Sequence, residues 1–225
     1  MNKIHKNNPD TLMYQDYTEG KKHLTFWEED CEFSTAKEWF NHTVAYKKYL
    51  RKHISENGYK SVLDCGAGIG TEYIGLLEDK VKVEYTGIDI TPKFVQHMKE
   101  NGIDAYCCSI ENLPFLDNSY DAVICYGVMN HQKDFRNAIY ELVRVSNKEV
   151  IISFWKEFYE NMPVEHSGDF NTKKQGDGII VERHDKFIYN HFSKVEMEKF
   201  LKDQGYNYMF EKIHDYMILF IKKMK

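Results

Sequence analysis

The nine residues from Val62 to Gly70, VLDCGAGIG, constrain the fold of this chain more than any other stretch. Val62 and Leu63 end an apolar run typical of a buried strand, and three glycines follow at alternate positions. Glycine tolerates left-handed conformations and close backbone approaches that a β-carbon would block. The stretch therefore predicts a strand, a tight glycine turn and a helix N-terminus, which together form a binding corner for a nucleotide-like ligand. A tight turn without any ligand would require the same glycines.

Strands and helices alternate along the 225-residue chain. Strand-like runs are predicted at residues 59–64, 81–90, 104–109, 120–126 and 149–155, with helical periodicity between them. Two further runs, at 207–213 and 216–223, are close enough in sequence to form a hairpin. This alternation predicts an α/β fold with a doubly wound, mostly parallel seven-stranded sheet and a C-terminal antiparallel β-hairpin.

The chain is expected to form one domain with four parts. These are an N-terminal helical arm at 1–58, a ligand-binding core at 59–155, a loop at 156–191, and a helix with the hairpin at 192–225. Thr35 and Glu38 fit a capping box, which predicts a helix from there to Glu56. Residues 1–33 are either a loosely packed arm or a flap over the site. Residues 156–190 are expected to be irregular, and a polar loop of that length usually forms a pocket or a lid.

Composition narrows the classes of function. A formal net charge of -5 does not indicate a nucleic-acid groove, and the longest apolar run, at 217–221, is too short to cross a bilayer. Five cysteines without a CxxC pair, and no secretory signal, favour reduced thiols and a cytoplasmic location. The histidines and acids show no HxH or HExxH spacing, so no metal site is expected.

Two aspartates stand at predicted strand ends beside the glycine turn. Asp89 ends the second strand, where a carboxylate can accept hydrogen bonds from both hydroxyls of a ribose. Thr91 already occupies the helix-capping position, which argues against a simple capping role for Asp89. Asp64 ends the first strand and could either receive the ammonium of an amino-acid-like ligand or bind backbone amides in the turn.

These motifs resemble the class I S-adenosylmethionine-dependent methyltransferases. The first motif of that family is an acid followed by GxGxG, and it is matched by Asp64, Gly66, Gly68 and Gly70. Asp89 matches the family's ribose-binding acid. A nicotinamide dinucleotide is disfavoured, because its fingerprint is GxGxxG and a second phosphate-binding element is missing.

Three further stretches extend the resemblance over about residues 59–155. The segment 109–125, SIENLPFLDNSYDAVIC, matches the family's acidic turn and the strand after it. The segment 128–134, VMNHQKD, matches a strand end that leads to a histidine and an acid. Glu141, Arg144 and Val145 match the end of the helix that follows. Together these matches are far more specific than a glycine motif alone.

The resemblance implies a Rossmann-like fold with S-adenosyl-L-methionine as cofactor and S-adenosyl-L-homocysteine as product. The residues expected to bind the cofactor are Asp64, Gly66, Gly68, Gly70, Asp89, Ile90, Ser109, Ile110, Glu111, Tyr126 and His131. Ser109 departs from the family, which often places an acid against the adenine amino group, and its hydroxyl would accept that hydrogen bond less strongly.

The acceptor is expected to be a small molecule, methylated on oxygen or nitrogen by in-line displacement. His131 is the candidate catalytic base, since its unperturbed pKa of about 6.5 suits that role, although it could equally form a wall of the cofactor pocket. RNA is the alternative acceptor, because basic residues at 46–60 and 222–225 could contact phosphates. A catalytically silent cofactor-binding protein is a third reading. No membrane partner is expected, and the oligomeric state is not predicted.

Overall fold

A computed structural model describes residues 44–155, 170–175, 178–183 and 188–223. Its helices are α1 (Ala45–Glu56), α2 (Thr71–Glu78), α3 (Pro92–Glu100), α4 (Arg136–Val145) and α5 (Lys194–Asp203). Its strands are β1 (Ser61–Cys65), β2 (Glu84–Asp89), β3 (Asp104–Cys107), β4 (Tyr120–Tyr126), β5 (Ser146–Trp155), β6 (Phe170–Gln175), β7 (Gly178–Arg183), β8 (Ile188–His191), β9 (Asn207–Ile213) and β10 (Tyr216–Lys222). A 3₁₀ turn spans Met129–His131.

Seven strands form the main sheet in the order β3-β2-β1-β4-β5-β10-β9. Strands β1 to β5 pair in parallel, whereas β10 is antiparallel to both β5 and β9. This confirms the predicted Rossmann-like sheet and its C-terminal hairpin. Strand order reverses between β1 and β4, and ligands bind at the carboxyl ends of parallel strands near such a reversal.

The two faces of the sheet bury separate apolar clusters. Leu63 of β1 packs with α4 and α5 on one face, and its neighbour Val62 packs with α1, α2 and α3 on the other. Successive strand residues point to opposite faces, so a nearly continuous apolar strand serves both clusters. Among the described residues, none of the helices has both the length and the apolar character needed to cross a membrane.

The start of the first helix corrects the sequence prediction. Val44 has a ψ of 134°, which is extended backbone, and the helix that ends at Glu56 begins at Ala45. The prediction of one continuous helix from Thr35 to Glu56 is therefore wrong. The capping box expected at Thr35 lies outside the described residues, as do residues 1–33 and their expected role as an arm or flap.

A small sheet corrects the prediction that residues 156–190 are irregular. Strands β6, β7 and β8 pair antiparallel in that order. The β-branched residues Ile179, Ile180 and Val181 favour a strand in β7, but the polar β6 sequence FNTKKQ carries no clear alternation. Pairing between strands therefore decides a conformation that the sequence pattern did not indicate.

The end of α4 holds the segment between β3 and β4 in place. Arg144 donates hydrogen bonds to the backbone carbonyl oxygens of Leu113, at 3.0 Å, and Phe115, at 2.8 Å. Its Nε and Nη2 also contact both carboxylate oxygens of Glu141. Glu141 in turn accepts the Leu113 N–H at 2.8 Å. The two residues therefore fix the turn that leads away from Ser109.

Replacing Arg144 by lysine should destabilise the fold. A lysine ammonium lacks the planar set of donors, so the carbonyl oxygens of Leu113 and Phe115 would lose hydrogen bonds. We expect Arg144→Lys to lower the free energy of unfolding by about 2–3 kcal/mol in urea titrations. The control is Arg136→Lys at a side chain that is 43% exposed and pairs with Asp134. It should cost less than about 1 kcal/mol, and equal losses would contradict this account.

Candidate cofactor site

The glycine turn after β1 adopts the left-handed backbone that its sequence predicts. Gly66, Gly68 and Gly70 have φ values of 84°, 56° and 80°. A β-carbon at Gly66 would lie 2.1 Å from Cγ2 of Val128, so no larger residue fits there. The backbone N–H of Gly66 donates to the Ile88 carbonyl oxygen at 2.8 Å, which joins the turn to β2.

Asp89 is held at the end of β2 by two backbone donors. Its Oδ2 accepts the Gly68 N–H at 2.9 Å, and its Oδ1 accepts the Thr91 N–H at 2.9 Å. Burial raises the pKa of Asp89, whereas these hydrogen bonds act in the opposite direction. Each carboxylate oxygen can accept a second hydrogen bond, so the anchored side chain can still receive ligand hydroxyls.

A cavity opens beside Asp89 at the carboxyl ends of the central strands. It encloses about 680 Å³, a figure that includes the part open to solvent. Its lining consists of Gly66, Asp89, Ile90, Thr91, Phe94, Cys108, Ser109, Ile110, Tyr126, Gly127, Val128, His131 and Gln132.

Seven of the predicted binding residues line the cavity, and the others lie behind or beside its lining. Those in the lining are Gly66, Asp89, Ile90, Ser109, Ile110, Tyr126 and His131. Gly68 instead binds Asp89, and Gly70 occupies the N-cap position of α2. Glu111 lies outside the lining and donates its backbone N–H to Ser109 Oγ at 3.1 Å.

Several lining residues were not predicted individually, although Val128 and Gln132 fall within the 128–134 motif. Thr91 and Phe94 matched a helix cap and an apolar helix face, and Cys108 matched core packing. The others are Gly127, Val128 and Gln132. They reach the cavity because β4 ends there, and their residue types carry no chemistry that would mark them.

Asp64 lies behind the cavity lining. It is 3% exposed, and the Tyr85 hydroxyl donates a hydrogen bond to its Oδ2 at 2.6 Å. Burial raises the pKa of Asp64 to about 7, the charge of Glu72 acts in the same direction, and Tyr85 and Lys47 oppose the shift. The acid of the first motif is therefore a buried group next to the turn.

A buried ionic group packs against α2 near Asp64. Arg51 Nη1 donates to Glu72 Oε1 at 2.9 Å, and Lys47 Nζ lies 3.8 Å from Glu72 Oε2. A β-carbon at Gly75 would lie 2.6 Å from Arg51 Nη1, so this glycine makes room for the guanidinium. Two basic side chains of α1 are thus directed into the protein.

Tyr126 lines the cavity and carries a buried hydroxyl. Within the described part of the chain, this buried oxygen has no hydrogen-bond partner. The ring lies edge-on to Tyr46, with 6.2 Å between the ring centroids. Burial raises the pKa of Tyr126, so its hydroxyl stays protonated near neutral pH. A buried hydroxyl without a partner is costly, and a bound ligand that reaches it would remove that cost.

His131 lies in the 3₁₀ turn after β4 and lines the same cavity. Its backbone N–H donates to the Val128 carbonyl oxygen at 2.9 Å, which closes the turn. The structure therefore brings together the imidazole, Asp89 and Tyr126 around one space.

Known proteins give an independent comparison. Residues 63–154 match a family described as a methyltransferase domain. The chain is 28% identical over 127 residues to a tRNA U34 carboxymethyltransferase from Campylobacter curvus, covering 54% of this chain and 40% of that protein. It is 29% identical over 100 residues to a malonyl-[acyl-carrier protein] O-methyltransferase from Halorhodospira halophila, covering 42% of this chain and 34% of that protein. The chain thus spans less than half the length of these relatives.

Solved structures share the fold over most of the chain. An amino pentose methyltransferase from Micromonospora echinaspora superposes with a TM-score of 0.64 at 12% identity, covering 86% of this chain and 98% of that one. A 1,6-didemethyltoxoflavin-N1-methyltransferase from Burkholderia thailandensis gives 0.60 at 15% identity, covering 94% and 87%. At such identities the agreement concerns the fold.

The cavity lies at the switch point of the sheet, where α/β proteins of this architecture bind their ligands. Every residue that lines it falls within 63–154, the part of the chain that matches the methyltransferase-domain family. S-adenosylmethionine is the cofactor that the sequence resemblance implies. The residues fit this molecule, because Asp89 retains acceptor capacity for a ribose, Gly66 leaves room for close approach, and the Tyr126 hydroxyl requires a partner.

The buried Asp64 should make stability depend on pH. Its folded-state pKa of about 7 exceeds the usual value of about 3.9, so the folded chain binds more protons between these two values. The stabilising contribution of Asp64 is full below about pH 4 and is lost as the pH rises through about 7. Asp64→Asn stays neutral, so from pH 4 to pH 8 it should gain up to about 4 kcal/mol relative to the parent.

Urea unfolding at pH 4, 6 and 8 measures this difference. The matched control is Asp203→Asn, which changes an exposed aspartate at the end of α5. Its difference from the parent should stay below about 1 kcal/mol at every pH. A constant difference between Asp64→Asn and the parent would contradict the buried-carboxyl account.

Proposed function

We propose that the protein transfers the methyl group of S-adenosylmethionine to an oxygen or nitrogen atom of a small-molecule acceptor. The observation that carries this proposal is the Asp89 carboxylate, anchored by Gly68 and Thr91 at the wall of the cavity. S-adenosylhomocysteine is the second product.

The cavity offers a distinct contact for each part of the cofactor. Asp89 accepts hydrogen bonds from the ribose hydroxyls. Ile90, Phe94 and Ile110 supply apolar walls for the adenine. Ser109 has the polar group at that end, and its Oγ already accepts one backbone N–H.

The methionine end belongs near the glycine turn and the end of β4. Tyr126 offers its hydroxyl there, and Gly66 allows the backbone to approach closely. Asp64 is 3% exposed and bound by Tyr85, so we assign it to supporting the turn, with any contact to the cofactor ammonium made through water.

S-adenosylmethionine supplies a methyl group that the positive charge on sulfur has already activated. The residues of this chain have to orient the acceptor and exclude water, since positioning contributes about 7–11 kcal/mol in favourable cases. A nucleophile that carries a proton also needs a base. His131 is the candidate base because it lines the cavity on the turn after β4, and a role as a cavity wall is the alternative.

The basic residues of α1 bear on the choice between a small molecule and RNA. Lys47 is 8% exposed and Arg51 is 1% exposed, and both lie against Glu72. Lys223 donates to the Ser146 carbonyl oxygen at 2.8 Å. Phosphate binding needs exposed cations, so these three residues do not support an RNA surface. The tRNA-modifying relative from Campylobacter curvus keeps tRNA as the second candidate.

The cysteines bear on the cellular location that we propose. Cys65 and Cys125 are free thiols, which supports the cytoplasmic location expected from the sequence. The partners proposed are the cofactor and its acceptor.

Replacing Tyr126 by phenylalanine should affect binding and stability in opposite directions. The variant removes a buried hydroxyl without a partner, so the free energy of unfolding should stay equal or rise by about 1 kcal/mol. Affinity for S-adenosylhomocysteine, measured by calorimetry, should fall about five- to tenfold.

The matched control is Tyr85→Phe, which removes a hydroxyl bonded to buried Asp64. It should lower stability by about 1–3 kcal/mol. Unchanged cofactor affinity in Tyr126→Phe would remove this hydroxyl from the proposed site.

A labelling experiment tests the acceptor class. S-adenosylmethionine with a tritiated methyl group is incubated with the protein and a cell extract, and small metabolites, RNA and protein are then separated. We expect label among the small metabolites. The Asp89→Ala variant is the control and should transfer none, because it lacks the ribose-binding carboxylate. Label confined to RNA would overturn the first choice in favour of tRNA modification.

A further inference from the structure

Two buried asparagines join the small sheet to the turn after β4. Asn130 Nδ2 donates to the Asn190 carbonyl oxygen at 3.0 Å. Asn190 Nδ2 donates to the carbonyl oxygens of Gln132, at 3.2 Å, and Lys133, at 3.1 Å. The two side chains are 4% and 2% exposed. We call this arrangement the asparagine clamp.

The clamp connects two parts of the molecule with different expected roles. On one side is the turn that carries His131 and Gln132 into the cofactor cavity. On the other side is β8, the last strand of the small sheet and a part of the segment expected to contact the acceptor. The turn itself has little regular structure, so its carbonyl groups depend on partners from outside it.

Two further contacts lie beside the clamp, at the end of β8 and the start of α4. Phe135 and Phe192 pack edge to face, with 5.2 Å between the ring centroids. Arg136 lies 3.2 Å from Glu196. Both contacts involve residues that follow Lys133, whereas the Asn190 amide binds the carbonyl oxygens of Gln132 and Lys133 directly.

An asparagine suits this position for a chemical reason. Its amide nitrogen has two N–H donors, and here they face two successive backbone carbonyl groups. Aspartate would place a carboxylate against the same carbonyl oxygens, and alanine would leave them without a donor. Buried carbonyl groups that lose their donor favour rearrangement of the backbone that carries them.

We propose that Asn190 is a positioning residue for the cofactor site. It fixes the backbone at 130–133, so that His131 and Gln132 keep their places in the cavity wall. The position of the small sheet and the shape of the cofactor cavity are then coupled, and each affects the other by the same factor at equilibrium. This inference rests on the proposed function in one respect, that the cavity holds the cofactor.

Calorimetry with S-adenosylhomocysteine tests the proposal on the full chain. We expect Asn190→Ala to weaken binding about tenfold and Asn130→Ala to weaken it by a comparable factor. The double variant should lose little more than either single variant, because both substitutions break one clamp. The matched control is Asn207→Ala, an exposed asparagine in β9, and its affinity should stay within about twofold of the parent.

Amide hydrogen exchange supplies a readout that does not depend on the ligand. In Asn190→Ala, residues 129–133 should lose protection while β1 and β4 keep theirs, which also shows that the variant is folded. If Asn190→Ala does not fold, Asn130→Ala tests the clamp from its other side, because it removes the hydrogen bond to the Asn190 carbonyl oxygen. Parent-like affinity together with parent-like protection of the turn in the folded variant would overturn the proposal.

These experiments distinguish a failure of the clamp proposal from a failure of the proposed function. A parent protein that does not bind S-adenosylhomocysteine would contradict the proposed function, and hydrogen exchange in the turn would still decide the clamp. A parent that binds, with independent and additive losses in the two asparagine variants, would contradict the clamp and leave the proposed function standing.

Discussion

The hydrogen bond between the Gly68 N–H and the Asp89 carboxylate is the contact on which the site depends. It joins the turn after β1 to the end of β2 across the two central parallel strands. The bond forms only if the turn takes a left-handed path, which the three glycines allow without strain. The Thr91 N–H completes the anchor and sets where α3 begins. A carboxylate held in this way faces the ligand with its orientation already fixed.

Behind this anchor, the protein tolerates buried charge that a purely structural core would avoid. Asp64, Glu72, Lys47 and Arg51 are all at most 8% exposed. Desolvation of such groups costs several kcal/mol each before their pairing is counted, so a folded chain gains little from them as stabilisers. Their location beside the glycine turn gives another explanation. Under the proposed function, they stand next to the charged end of the cofactor.

Features that depend on residues close together in the sequence were predicted correctly, whereas features that depend on distant segments were not. Strands β1 and β4 have nearly continuous apolar runs, and α4 buries Ala138, Ile139 and Leu142 at helical spacing. The glycine turn has a backbone conformation that few residues can adopt, so local sequence determines all of these features. Strand β6 and the start of α1 at Ala45 lack such signals, because pairing and packing with distant segments decide them. For the same reason, the sequence predicted Asp89, which stands at a strand end, as a site residue. It did not predict that Thr91 and Val128 line the cavity, because the fold brings them there.

The sequence by itself determined the α/β class, the order of the elements, the glycine turn and the place of Asp89 at a strand end, because each depends on neighbours a few residues apart. Only the tertiary structure decided that Asp64 is buried beside Tyr85, that Lys47 and Arg51 are directed into the protein, and that the Tyr126 hydroxyl has no hydrogen-bond partner among the described residues. The clamp between Asn130 and Asn190 was also decided by the tertiary structure alone. Burial and hydrogen-bond satisfaction are properties of segments far apart in sequence, and the fold alone brings those segments together.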